Sequence, residues 1–287
     1  MSLLYSIPVI GAVALAFGNI VQRSILKKRK IKIGVYQSAV FLGIVLVMIP
    51  FLFFFWKFEL QALHLKNLIF LALIVIFSLI ANRLSFYSMK WEKISNIESA
   101  KILEPLFVIL LAILFSFIFD TALYERNLNV IIPAIIAAIA LVFSHIKKHH
   151  LQFNKYFIAT IFSSLFFALE LVTSRLILDY YSPVTFYFIR CLLIVIISFI
   201  MFKPKLNKLS TKLRLEIIGA GAIFVIYRFI LYYGYLGLGI VFTTLILMLG
   251  PIFLYLFAWK FLKDKPNWKN SVASGIIIVS VLYAIVS

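Results

Sequence analysis

The acids Glu104 and Glu170 and the arginines Arg83, Arg190 and Arg228 of this 287-residue chain stand inside or at the edge of apolar runs, where each is a residue type that can do chemistry. Glu104 follows Ser95 by nine residues, which is roughly 14 Å along a helix and close to the middle of a bilayer. An acid at that depth points to a proton or cation site. The competing reading is a helix-surface pair with Lys101, three residues earlier. Glu98, on the same run but near its end, reads as a solvated or snorkelled acid. Glu170 is the second deep acid, with Arg175 and Asp179 beyond it. It either faces a cavity or pairs with Arg190 on the following run.

Arg83 and Arg228 are each followed four residues later by a tyrosine, Tyr87 and Tyr232, one helical turn away on the same face. A guanidinium stays charged when buried, and its planar fork matches a carboxylate. These two pairs therefore suit either ligand contact or the structural binding of carbonyls and carboxylates. Arg83 lies about 9 Å from one end of its run and Arg228 about 10 Å from the opposite end of its own. Arg190 could likewise brace helices or meet a ligand. Tyr227, Tyr232, Tyr233 and Tyr235 are close enough in sequence to line a common cavity.

The elements that carry these residues are written twice. Tyr87 precedes Pro105 by 18 positions and Tyr233 precedes Pro251 by 18, so an offset of 146 superposes the two windows without a gap. Ile94, Leu103, Phe107, Leu110, Ala112 and Phe115 recur in that register as Ile240, Leu249, Phe253, Leu256, Ala258 and Phe261. Eight identities in 29 positions exceed the roughly two or three that so apolar a composition gives by chance. Each copy is an apolar helix interrupted by a proline, Pro105 or Pro251, which removes a backbone donor and kinks the helix. The residue before it is Glu104 in one copy and Gly250 in the other. Arg83 and Arg228 fall one residue out of step with this register.

Hydrophobic residues make up 64% of the chain and charged residues 13%, with a mean hydropathy of +1.10. Soluble domains carry about a quarter charged residues, so this composition implies an all-α polytopic membrane protein. Ten apolar runs fit a hydrocarbon core, near 3–22, 33–56, 67–89, 95–119, 128–146, 155–178, 183–202, 213–235, 240–262 and 269–286. Together with the repeat they predict two five-helix units, 1–150 and 151–287. Five is odd, so the units must cross the membrane in opposite senses, as inverted repeats. Alternate loops carry twenty Lys and Arg on one side and three on the other. The basic loops are then cytoplasmic, and both termini lie outside. Met1–Pro8 lacks the basic n-region of a cleaved signal, so the first span is expected to be retained.

The net charge of +18 lies mostly in these loops, where it reports topology and not nucleic-acid binding. Cys191 is the only cysteine and sits in an apolar run, so no disulfide or cysteine metal site is available. His145, His149 and His150 occupy a lysine-rich turn without a nearby acid and read as a solvated loop, not a metal cluster. No P-loop, HExxH or GxSxG pattern is present, so neither direct ATP use nor hydrolytic catalysis is expected, and no cofactor is implied.

The aromatic-rich helix end, the apolar helix with central proline and the closing helix, clearest from Tyr233 through Gly250-Pro251, Trp268 and Gly275, resemble the drug/metabolite transporter superfamily, EamA type. Ser182-Pro183 followed by Arg190 is similar to that family as well. The resemblance implies a ten-helix transporter with a central cavity between repeats, moving small metabolites by alternating access. Small multidrug exporters of the superfamily rely on a glutamate in the first helix. Here that helix offers Asn19 and Gln22, which speaks against lipophilic-cation antiport.

The resulting expectation is a multi-pass protein of the cell membrane, the cytoplasmic membrane in a prokaryote, working as a monomer or homodimer. Its partners would be a small-molecule substrate such as an amino acid, the lipid bilayer and a coupling proton or ion. A lipid flippase-like component is the alternative.

Overall fold

The computed structural model describes residues 3–28, 31–92, 97, 100–119, 124, 126–145, 154–253 and 268–287. Among the described residues the regular structure is helical. The helices are α1 (Leu3–Lys28), α2 (Ile33–Phe55), α3 (Leu65–Trp91), α4 (Leu103–Ile118), α5 (Leu128–His145), α6 (Lys155–Ser174), α7 (Pro183–Phe202), α8 (Thr211–Gly237), α9 (Ile240–Leu247) and α10 (Trp268–Val286). Seven of them, α1, α2, α3, α6, α7, α8 and α10, are long and apolar enough to cross a membrane, and α4, α5 and α9 are shorter. The expected span 240–262 runs into 254–262, and Glu98, His149 and His150 also lie outside the described residues. Phe53, Phe54, Phe117, Ile200 and Val286 stand exposed on helix flanks. Such a surface belongs in lipid, where backbone groups must be satisfied within the helix.

Local sequence fixes several helix ends. The Asn154 side chain accepts from the Tyr156 and Phe157 amides, both at 3.0 Å, and so caps α6. Ser182 accepts from the Thr185 amide at 3.1 Å, with Pro183 in the first turn of α7 where its missing donor matters least. Gly239 adopts φ 85° between α8 and α9, a left-handed turn that glycine takes without strain.

The two prolines of the repeat mark helix breaks, and the breaks lie just ahead of them. Residues 100–101 are helical, Ile102 is a turn, and Pro105 falls in the first turn of α4. In the second copy Met248 and Leu249 form the turn before residues 250–253 resume the helix. Ile102 and Met248 are related by the same offset of 146. The expected kink is thus a discontinuity three residues upstream of each proline, because a ring at position i denies the carbonyl at i−4 its bond and crowds the preceding turn.

Helix packing brings distant parts of the chain together. The most extensive packings are α3 on α6, α1 on α8, α5 on α10 and α2 on α7. Raising each number by five, with α6 to α10 returning to α1 to α5, exchanges the first two pairs and leaves the last two unchanged. The α4–α6 and α1–α9 contacts are exchanged in the same way, as are α2–α8 and α3–α7. Gly43 and Gly221 allow α2 and α8 to approach closely: a Cβ on Gly221 would stand 3.2 Å from the Ile44 amide nitrogen. At one end the α2–α3 and α6–α7 connections pair, Glu59 N donating to Tyr180 O at 2.9 Å and Ser182 N to Lys57 O at 3.1 Å. At the end with the basic loops, Arg23 donates to the Glu92 carbonyl at 3.0 Å and Lys90 to the Ile31 carbonyl at 2.6 Å.

Candidate functional site: a central cavity with a buried charge cluster

A cavity of about 520 Å³ opens between the helices of the two halves. It runs from Arg190, Arg228 and Tyr235 toward Arg23, Met89 and Ile97, next to the basic loops. Its walls follow the sequence repeat. Asn82, Ser85 and Met89 of α3 border it, and so do Arg228, Leu231 and Tyr235 of α8, each 146 residues on. Lys101, Ile102, Glu104 and Pro105 border it together with Leu247, Met248, Gly250 and Pro251, again 146 residues on. Identical register at seven positions means that both copies turn the same helix faces inward. The chemistry of those faces differs: Glu104 faces the cavity where the other copy has Gly250, and Arg228 where the other has Asn82.

One wall holds a cluster of four buried side chains from three helices. Glu170 of α6 is fully buried, as is Tyr232 of α8, while Arg190 of α7 is 1% and Arg228 of α8 is 7% exposed. The Arg190 Nη1 donates to Glu170 Oε1 in a short charge-assisted bond and also to the Tyr232 hydroxyl oxygen at 2.6 Å. Tyr232 in turn donates to Glu170 Oε1 at 2.9 Å. Arg228 Nη2 stands 3.2 Å from Glu170 Oε2 as an ion pair. Rings close over the guanidinium groups: Tyr187 lies 4.8 Å from Arg190, and Tyr227, Tyr232 and Phe167 lie 5.7, 5.9 and 6.0 Å from Arg228. Such faces favour a cation that has lost its water. Breaking one partner of so buried an ion pair is strongly destabilising, because the other charge is left uncompensated.

The sequence candidates separate cleanly. Of the two readings of Glu170, pairing with Arg190 is the observed geometry, and Arg228 joins as a third member. Glu104 and Lys101 both border the cavity, and Lys101 Nζ donates to Asn19 Oδ1 on α1 at 3.3 Å. Tyr227 and Tyr235 line the cavity; Tyr232 is held behind it by Glu170, and Tyr233 is 42% exposed.

Arg83 and Tyr87 are not brought to this site, which corrects their expected kinship with Arg228 and Tyr232. Arg83 is exposed and stacks 4.7 Å from the Phe202 ring at the end of α7, and Tyr87 packs 5.1 Å from Tyr156. The reason is the register: one residue turns a helix by about 100°, so Asn82 faces inward and Arg83 outward.

Sequence reasoning missed Asn82, Tyr187 and Thr244 as cavity residues. The signal for Asn82 was available, since a strict offset of 146 pairs it with Arg228. Outside the spans, the Tyr124 hydroxyl donates to the Val172 carbonyl at 2.9 Å. Burial pushes its pKa up, so it remains a donor at neutral pH.

Among 26 matching chains of solved structures, one described as "Crystal structure of protein" is 14% identical, with a TM-score of 0.67, and covers 98% of this chain and 96% of its own. A likeness at that identity concerns the fold alone. No curated protein matches the chain. Residues 154–286, from the Asn154 cap through α10, match the model of the EamA-like transporter family, so over that segment this all-helical multi-pass membrane protein is similar to a family of small-molecule transporters.

Proposed function

We propose that the chain is a secondary active transporter that exports small organic metabolites such as amino acids by alternating access between inverted repeats 1–150 and 151–287. One observation carries this reading: a cavity between the halves whose walls keep the repeat register while presenting ionisable groups, the buried Arg190 and Arg228 on one wall and the partly buried Glu104 on another. Transporters of inverted repeats place their sites at the repeat interface, beside discontinuous helices. The breaks at Ile102 and Met248 fit that description. The exchange of helix packings on adding five supports the division into two units.

The twenty-to-three charge bias supports cytoplasmic basic loops and external termini. In that orientation the cavity reaches toward the cytoplasm, and the paired connections at Lys57–Glu59 and Tyr180–Ser182 close the outer end. Glu104 is the candidate for a coupling proton or ion. The test is counterflow in proteoliposomes across amino acids, nucleosides and organic anions. Saturable counterflow of one class is the expected result. Movement of labelled lipid with no solute counterflow would replace this reading with a flippase-like one.

A further inference from the structure

The cluster behind the cavity wall is unbalanced in charge and uneven in geometry. Glu170 is one carboxylate against two guanidinium groups, Arg190 and Arg228, all within 7% exposure. Its Oε1 is held twice, by Arg190 and by Tyr232. Among the described residues its Oε2 has no hydrogen bond, and meets Arg228 as an ion pair at 3.2 Å. Arg228 Nη1 is buried without a hydrogen-bond partner among the described residues, and Arg228 borders the cavity. A buried donor on a surplus positive charge is a strong demand for an anion.

We propose that Arg228 is an exchange site for a carboxylate, with Glu170 as its resident and displaceable counter-ion. This rests on the transporter reading, since the carboxylate is that of the transported solute. A carboxylate arriving from the cavity takes Arg228 with two parallel hydrogen bonds, the geometry a guanidinium fork favours. Glu170 gives up its loose contact with Arg228 and keeps Arg190 and Tyr232. The empty cluster carries one excess positive charge and the loaded one carries none. Loading also releases one of the two polar contacts that Glu170 makes to α8, leaving the Tyr232 bond as the other. Rings of Tyr227 and Phe167 beside Arg228 suit an apolar or aromatic body on the carboxylate.

The experiment uses the full chain in detergent, with phenylacetate and its neutral isostere phenylacetamide as probes and thermal unfolding as readout. Phenylacetate should raise Tm and phenylacetamide should not. Glu170→Gln removes the resident competitor and should bind phenylacetate about tenfold more tightly, the scale of one charge-assisted hydrogen bond. A merely bracing Glu170 would instead leave the affinity of folded Glu170→Gln unchanged or lower.

Should Glu170→Gln not fold, Arg228→Gln decides, because it leaves Glu170 and Arg190 balanced. It should fold and lose the preference for phenylacetate over phenylacetamide; a retained preference overturns the proposal. Counterflow in proteoliposomes keeps the two readings apart. Solute flux without carboxylate preference removes the exchange site alone, and carboxylate preference without flux of any solute removes the transporter reading alone.

Discussion

Asn82 and Arg228 stand 146 residues apart and both border the central cavity, while Arg83, the neighbour of Asn82, stacks outward on Phe202. The inward faces of α3 and α8 are therefore equivalent positions carrying different chemistry. Arg83→Gln should leave solute affinity within about twofold of wild type, as surface substitutions do. Asn82→Ala alters the cavity wall and should change it measurably. Solute titrations on the two purified variants decide the matter, and a large loss in Arg83→Gln alone would return Arg83 to the site.

Arg228→Lys keeps a charge but loses the planar fork. Solute binding should weaken by about 1–3 kcal/mol, with the folded yield unchanged. Equal inhibition of uptake by an amino acid and by its amide would show that no guanidinium reads a carboxylate.

Tyr232→Phe removes a hydroxyl that donates to Glu170 and accepts from Arg190. Both partners are buried and charged, so the loss should be about 1.5–3 kcal/mol of stability. Thermal unfolding in detergent is the measurement. An unchanged midpoint would mean that the cluster is satisfied without the hydroxyl.

Much of this architecture is legible in sequence because lipid makes it so. Apolar runs of spanning length, the Pro105–Pro251 repeat and the loop charges each follow from a strong physical constraint. The site is less legible. Glu170, Arg190 and Arg228 lie on three helices, and only packing reveals that they share one carboxylate. Arg83 misled because its spacing to Tyr87 copies that of Arg228 to Tyr232, whereas inward facing is set by the register of the whole helix. The breaks at Ile102 and Met248 are displaced from the prolines because the ring perturbs the turn before it.

Glu104 borders the cavity beside Pro105, with Lys101 one turn away and Arg23, Arg190 and Arg228 as the other charged groups on the walls among the described residues. If it is the coupling group, Glu104→Gln should preserve shape and folded yield yet abolish the pH dependence of transport. Uptake into proteoliposomes across a pH series provides the check. A profile that survives the substitution would make Glu104 a structural neighbour of Lys101.

The orientation rests on loop charge, and accessibility can test it directly. Cys191 is fully buried, so a Cys191→Ser background gives a silent starting point with a small change of volume. Lys208 lies in the connection between α7 and α8, on the side that carries twenty basic residues. Lys57 lies between α2 and α3 on the side that carries three, with its side chain 59% exposed. In intact cells an impermeant thiol reagent should label Lys57→Cys and spare Lys208→Cys, and permeabilisation should expose the latter. Labelling of Lys208→Cys alone in intact cells would invert the proposed topology, and with it the proposal that the cavity faces the cytoplasm.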